Sequence, residues 1–164
     1  MVEGGAVRIL GIDPGLANTG WGVIEATLGK NRPVAYGHIS TTADSDRVMR
    51  LRRINEQVAL VIKRYAPTEM AIEAVFFSTN AKSALSIGEV RGVVMLAAAN
   101  AGISVEEYSA TQIKQAVVGE GRADKSQIQF MVRALLGLDH RPEPDHAADA
   151  LAAALCHARL RQMR

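Results

Sequence analysis

Apolar positions along the chain change their spacing near residue 40. Before it they come in short β-branched runs. Residues 7–12 (VRILGI), 19–27 (TGWGVIEAT) and 33–40 (PVAYGHIS) each suit a strand. LGKNR, between the last two, reads as a hairpin loop. The first 40 residues therefore predict a three-stranded antiparallel meander. After it the period becomes three and four. Val48, Leu51, Ile54, Val58, Val61 and Tyr65 mark an amphipathic helix over 46–65, stopped before Pro67. Residues 69–77 predict a fourth strand, 79–101 a second helix with Gly102 as its cap, and 103–108 a fifth strand. Ser109 opens a short helix to about 117, Asp124 another over 124–136, and residues 146–161 form a last, Ala-rich helix. Strands alternating with helices after an antiparallel start imply an α/β fold with a mixed sheet.

Composition narrows the class. The chain has 164 residues, with 48% hydrophobic and 22% charged, which fits one globular domain and excludes extensive disorder. Net charge is only +2, so the total does not announce a nucleic-acid partner. The basic side is nearly all arginine, 14 Arg to 5 Lys, which favours anionic partners mildly. A single cysteine, Cys156, excludes an internal disulfide and a Cys-based zinc site, and its apolar surroundings suggest a buried inert thiol. No basic leader and no long uncharged apolar stretch is evident. The expectation is a soluble, cytoplasmic protein, with residues 1–6 as a flexible arm.

Three carboxylates sit where apolar neighbours should exclude them: Asp13 in LGIDPG, Glu73 in AIEAVFF and Asp149 in HAADALAAALC. Each alone has an ordinary reading, as a turn residue, a solvent-facing strand residue and a first-turn helix residue. If the first and fourth strands are neighbours, Asp13 and Glu73 lie side by side. His146 and Asp149 are i and i+3, on one helical face. If the last helix packs over that edge, four ligands converge. Such oxygen-rich ligands select Mg²⁺ or Mn²⁺. Two such ions activate water and stabilise a leaving oxygen in phosphodiester cleavage.

The chain resembles the RuvC family of Holliday-junction resolvases. ILGIDPGLANTGWGVIE, IEAVFFSTNAKSALSIGEVRG, TQIKQAVVGEGRADKSQIQFMV and PDHAADALAAALCH are similar to four family blocks, in family order across most of residues 8–157. The resemblance implies a single ribonuclease-H-like domain over residues 1–164, with a five-stranded mixed sheet flanked by helices. It implies a homodimer that nicks two opposed strands of a four-way DNA junction, using Mg²⁺ or Mn²⁺, with two ions per subunit. Water is the implied nucleophile, leaving 5′-phosphate and 3′-hydroxyl ends. The branch-migration proteins RuvA and RuvB are implied partners. The implied catalytic and metal-binding set is Asp13, Glu73, His146 and Asp149, with Asp13 bridging the ions. The family carries Asp or His at the position of His146, so ligation and proton transfer both stay open for it. Asp145 is a lower-ranked alternative ligand.

Lys114 and Lys125 fall on DNA-contacting positions of the resemblance. They flank the loop VVGEGR, where Arg122 is a further phosphate candidate and Gly119 and Gly121 permit close approach. Phe76 is the implied base-stacking residue, with its neighbour Phe77 the alternative. Ala84, Gly88 and Gly92 make a stripe of small residues, either packed on the subunit's own sheet or forming a dimer contact. His38, His140 and His157 carry no signal, His157 reading as a helix-surface residue. Competing readings are a ribonuclease-H-like nuclease for RNA processing and a DNA-binding module without catalysis. A two-lobed ATPase would need about twice this length.

Overall fold

The computed structural model of the chain describes residues 4–75 and 80–164. The elements run β1 (Val7–Asp13), β2 (Asn18–Thr27), β3 (Lys30–Ser40), α1 (Arg47–Tyr65), β4 (Glu69–Glu73), α2 (Ala81–Asn100), β5 (Ser104–Tyr108), α3 (Ala110–Val117), α4 (Lys125–Leu136) and α5 (Asp145–Arg161). This is the order expected from periodicity. One sheet takes all five strands in the order β3-β2-β1-β4-β5. β1, β2 and β3 pair antiparallel, and β4 and β5 add in parallel with β1. The fold is therefore the ribonuclease-H-like mixed sheet.

The first hairpin is tighter than expected. Its turn is Leu28–Gly29, with Gly29 at φ 78°, and the strand resumes at Lys30. The sequence places a five-residue loop, LGKNR, there, because Lys30, Asn31 and Arg32 carry no apolar strand signal. Pro33 is tolerated because β3 is an edge strand and the β2–β3 register slips by one beside it.

Alternation sends β-sheet side chains to two cores. Leu10, Ile12, Val23, Met70 and Ile72 meet α1 and α2 on one face. Ile9, Ile24, Ala71 and Tyr108 meet α3, α4 and α5 on the other. α1 presents a narrow stripe of Ile54, Val58 and Ile62, as an amphipathic helix should. α3 and α4 each open with a full capping box, at Ser109 with Gln112 and at Asp124 with Gln127. α5 differs: Ala147, Ala148 and every residue from Ala150 to Ala158 are buried. A helix buried on nearly every side has no polar face for a pattern to reveal.

This overturns the surface assignment of His157, which is 3% exposed. Its Nδ1 pairs with the Tyr108 hydroxyl at 2.6 Å and its Nε2 with Glu69 at 2.5 Å. Arg161 donates twice to the same Glu69 carboxylate. Cys156 is buried as expected, and burial pushes its thiol up to about 11. Among the described residues no helix is long and apolar enough to cross a membrane.

Candidate active site

β1 and β4 run parallel with Ile12 opposite Ile72, so Asp13 and Glu73 are the next residues along on adjacent strands. Strand spacing places their backbones about 4.8 Å apart. Alternation turns both carboxylates to the face that carries α5.

Three glycines decide how close α5 comes. Gly11 pairs with Gly22, and Asp13 pairs with Gly20, all on that face. A Cβ on Gly11 would lie 1.9 Å from the Ala150 carbonyl oxygen. One on Gly20 would lie 1.9 Å from that of His146, and one on Gly22 would lie 2.5 Å from Leu151 Cδ2. The backbone of the first turns of α5 thus rests on a glycine ledge leading to Asp13. The sequence reading assigned these glycines no role. The detectable signal was glycine at every second position of TGWG, facing the glycine of LGID.

The ledge brings His146 onto Asp13, Nδ1 to Oδ2 at 3.1 Å. Asp149 lies one turn further along α5. Lys125 Nζ stands 3.6 Å from Asp145 and 3.8 Å from Asp149. Asp145 also accepts from the buried Gln129, so it is engaged by two neighbours away from Asp13. Behind the site, the buried Arg91 of α2 donates to the Glu73 backbone carbonyl and to Glu107. That contact pins the end of β4, and no motif pointed to it.

The electrostatics are those of surplus negative charge. Burial, then the Asp149 charge, raises Asp13 from 3.8 to about 6, against the opposing pull of His146 and Lys125. Burial, then Asp13 and Asp149, raises Glu73, with Lys114 and Arg91 opposing. Burial and, more weakly, Asp145 raise Asp149, with Lys125 and His146 opposing. Asp149 raises Asp13, and both raise Glu73, a gathering of negative charge that fits a hard divalent cation, which would relieve the repulsion. Among the described residues no three such side chains close on one point as they lie, so chelation needs side-chain rotation.

Two grooves meet at Glu73. One, of about 590 Å³, is lined by Asp13, Glu73, Asn80, Ser83, Ser109 and Thr111 among others. The second, of about 250 Å³, holds Glu73, Asp149, Lys114 and Lys125. The structure therefore brings Asp13, Glu73, His146, Asp149, Lys114 and Lys125 together. Arg122 is exposed on the α3–α4 loop and lines neither groove. Gly119 there has φ 92°. Phe76 and Phe77 lie outside the described residues. The small-residue stripe divides: Ala84 packs inward, whereas Gly88 and Gly92 are exposed, with nothing within 4 Å of an added Cβ.

Residues 9–157 match the family "Crossover junction endodeoxyribonuclease RuvC". The protein of that name from Caldanaerobacter subterraneus subsp. tengcongensis is 49% identical over 157 residues, covering 96% of this chain and 95% of its own. That from Moorella thermoacetica is 51% identical over 150 residues, covering 92% and 90%. Among solved structures, Thermus thermophilus RuvC in complex with a Holliday junction substrate superposes with a TM-score of 0.91 at 37% identity, over 96% of both chains. With the sheet order, the paired acidic strand ends and these matches in agreement, the chain belongs to the crossover junction endodeoxyribonuclease RuvC family.

Proposed function

We propose that Asp13, Glu73, His146 and Asp149 form the cleavage site through which this chain nicks four-way DNA junctions. Family membership makes it a divalent-metal-dependent endonuclease that hydrolyses phosphodiester bonds at crossover junctions. The observation that carries the site assignment is the glycine-seated approach of α5, which adds His146 to Asp13 and Asp149 to a pair of strand-end carboxylates.

Two Mg²⁺ or Mn²⁺ ions, when bound, supply activation of water and charge stabilisation of the leaving 3′ oxygen. Asp13, at the end of β1, would hold the ions together with Glu73 of β4 and Asp149 of α5. His146 points Nδ1 at the Asp13 carboxylate, so Nε2 is the atom that would hold an ion, a common arrangement for metal-bound histidine. Lys114 and Lys125 face the second groove and pair with backbone phosphate. The products carry 5′-phosphate and 3′-hydroxyl ends. Two bound ions would bring a subunit from +2 to roughly +6, so the acidic site no longer opposes DNA once loaded.

Paired nicks need two sites related by a two-fold axis, hence a homodimer. The exposed outer face of α2, with Leu85, Gly88, Gly92 and Leu96, supports pairing there. RuvA and RuvB would dock outside the grooves that DNA fills.

A synthetic four-way junction tests this reading. With Mg²⁺ or Mn²⁺ the protein should give symmetric nicks, sealable by a ligase. Structured RNA cut in preference to the junction, or cleavage that persists in a chelator, would overturn it.

A further inference from the structure

At the outer edge of the sheet lies a cavity unrelated to the carboxylates. It measures about 340 Å³ and is lined by Thr41, Thr42, Ser45, Met49, Arg50 and Arg53, with Ser40 at its edge. No carboxylate lines it. The arginines of α1 otherwise differ in their employment. Arg47 pairs with Glu89, and Arg52 with Glu56. Arg50 and Arg53 instead turn Nε toward neutral oxygens, Thr41 Oγ1 at 2.7 Å and the Ser40 carbonyl at 3.0 Å. Those bonds orient each guanidinium while leaving its two terminal nitrogens as donors. Asp44, in the β3–α1 loop, has its carboxyl held below the usual range by the Thr42 hydroxyl first and by Arg50 last. It offsets part of one positive charge.

The cavity is tied to the catalytic edge. Thr41 donates its hydroxyl to the Leu16 carbonyl at 2.5 Å and its amide to Ala17 at 3.0 Å, both in the loop that follows Asp13. Across the sheet, Asp13 faces Gly20, Gly20 faces His38, and Ser40 lies two residues beyond. Two strand spacings and two further residues put the Ser40 edge of the cavity about 12 Å from Asp13. That side is away from β4 and β5, and opposite the groove lined by Lys114 and Lys125.

We infer that Arg50 and Arg53 form a second phosphate-binding site that grips the DNA backbone three to four nucleotides from the cut, at about 3.4 Å per step. Two oriented guanidinium forks in a hollow whose lining holds no carboxylate match the acceptor geometry of a phosphodiester. The site extends the DNA path across the full width of the sheet end. It rests on the junction-cleaving reading above.

The test is junction binding by the Arg50→Gln/Arg53→Gln double variant at several salt concentrations. A Lys63→Gln/Arg64→Gln control removes the same charge from the other end of α1. Thermal melting verifies that both variants are folded. The Arg50/Arg53 variant should bind about tenfold more weakly near physiological salt, with a salt slope shallower by about two. The control should bind as wild type does. Replacing single phosphates with neutral methylphosphonates should weaken the wild type at one position about three to four nucleotides from the cut. The double variant should lose that sensitivity. Wild-type affinity in the double variant, or equal losses in both variants, would overturn the site while wild-type cleavage stands. Failure of the wild type to cleave junctions at all would instead overturn the reading on which it rests.

Discussion

Glu69 and Glu73 stand at opposite ends of one five-residue strand, on one face, under one helix. Their surroundings are opposite. Burial raises the Glu69 carboxyl, but hydrogen bonds from His157 and Arg161 outweigh it and hold it below the usual range. At the other end burial, Asp13 and Asp149 all raise Glu73. The same fold thus neutralises one carboxylate completely and gathers negative charge around the other. The first arrangement locks the C-terminal half of α5 to the sheet. The second has no structural benefit of its own and is costly without a cation.

The largest expected effect lies at the acidic end. Asp13→Asn should lower junction cleavage by on the order of 10³-fold while preserving junction binding, measured by single-turnover cleavage and gel shift. A loss below tenfold would break the contrast. Next, Glu69→Ala leaves His157 and Arg161 without their acceptor. It should cost about 3 kcal/mol of stability, read by denaturant unfolding.

The same Asp13→Asn change should act in the opposite direction on the ion-free protein. A carboxyl raised from 3.8 to about 6 favours the fold fully below pH 4, and that contribution is lost as the pH rises through 6. Asparagine should therefore add about 2–3 kcal/mol at pH 8 in chelator and nothing at pH 3.5, provided both proteins remain folded there. Glu69 contributes with the reverse pH dependence, its stabilisation present near neutrality and lost on acidification. The smallest effects separate the glycines. Gly20→Ala must displace the His146 carbonyl and should cost about 1–3 kcal/mol along with some cleavage. Gly92→Ala, with open space at its Cβ, should change monomer stability by under about 1 kcal/mol.

Much of the first half of the account was legible in residue order. The ten elements follow from hydrophobic period and capping residues, because α1, α3 and α4 each have a wet face and a dry face. The three carboxylates stood out because their neighbours are apolar. α5 was read less well. Its burial on nearly every side removes the periodic signal, so His157 looked like a surface residue although it joins Tyr108 to Glu69. The glycine ledge was hidden because strand glycines ordinarily suggest only weak strand propensity. Arg91 was invisible for another reason: one of its partners is a backbone carbonyl, which no sequence pattern encodes. The hairpin turn was misjudged because Lys30, Asn31 and Arg32 pair on an edge strand, and edge-strand status is a property of the sheet.

The central claim is that the charge gathered at the N-terminal end of α5 is a divalent-ion site that cuts DNA. The most direct measurement titrates Mn²⁺ or Mg²⁺ into wild type and Asp13→Asn at pH 8, recording melting temperature and junction cleavage together. The wild type should gain thermal stability over the same ion range in which cleavage appears, and Asp13→Asn should show neither response. An equal ion-induced rise in the variant, or cleavage by it at the wild-type rate, would contradict the account.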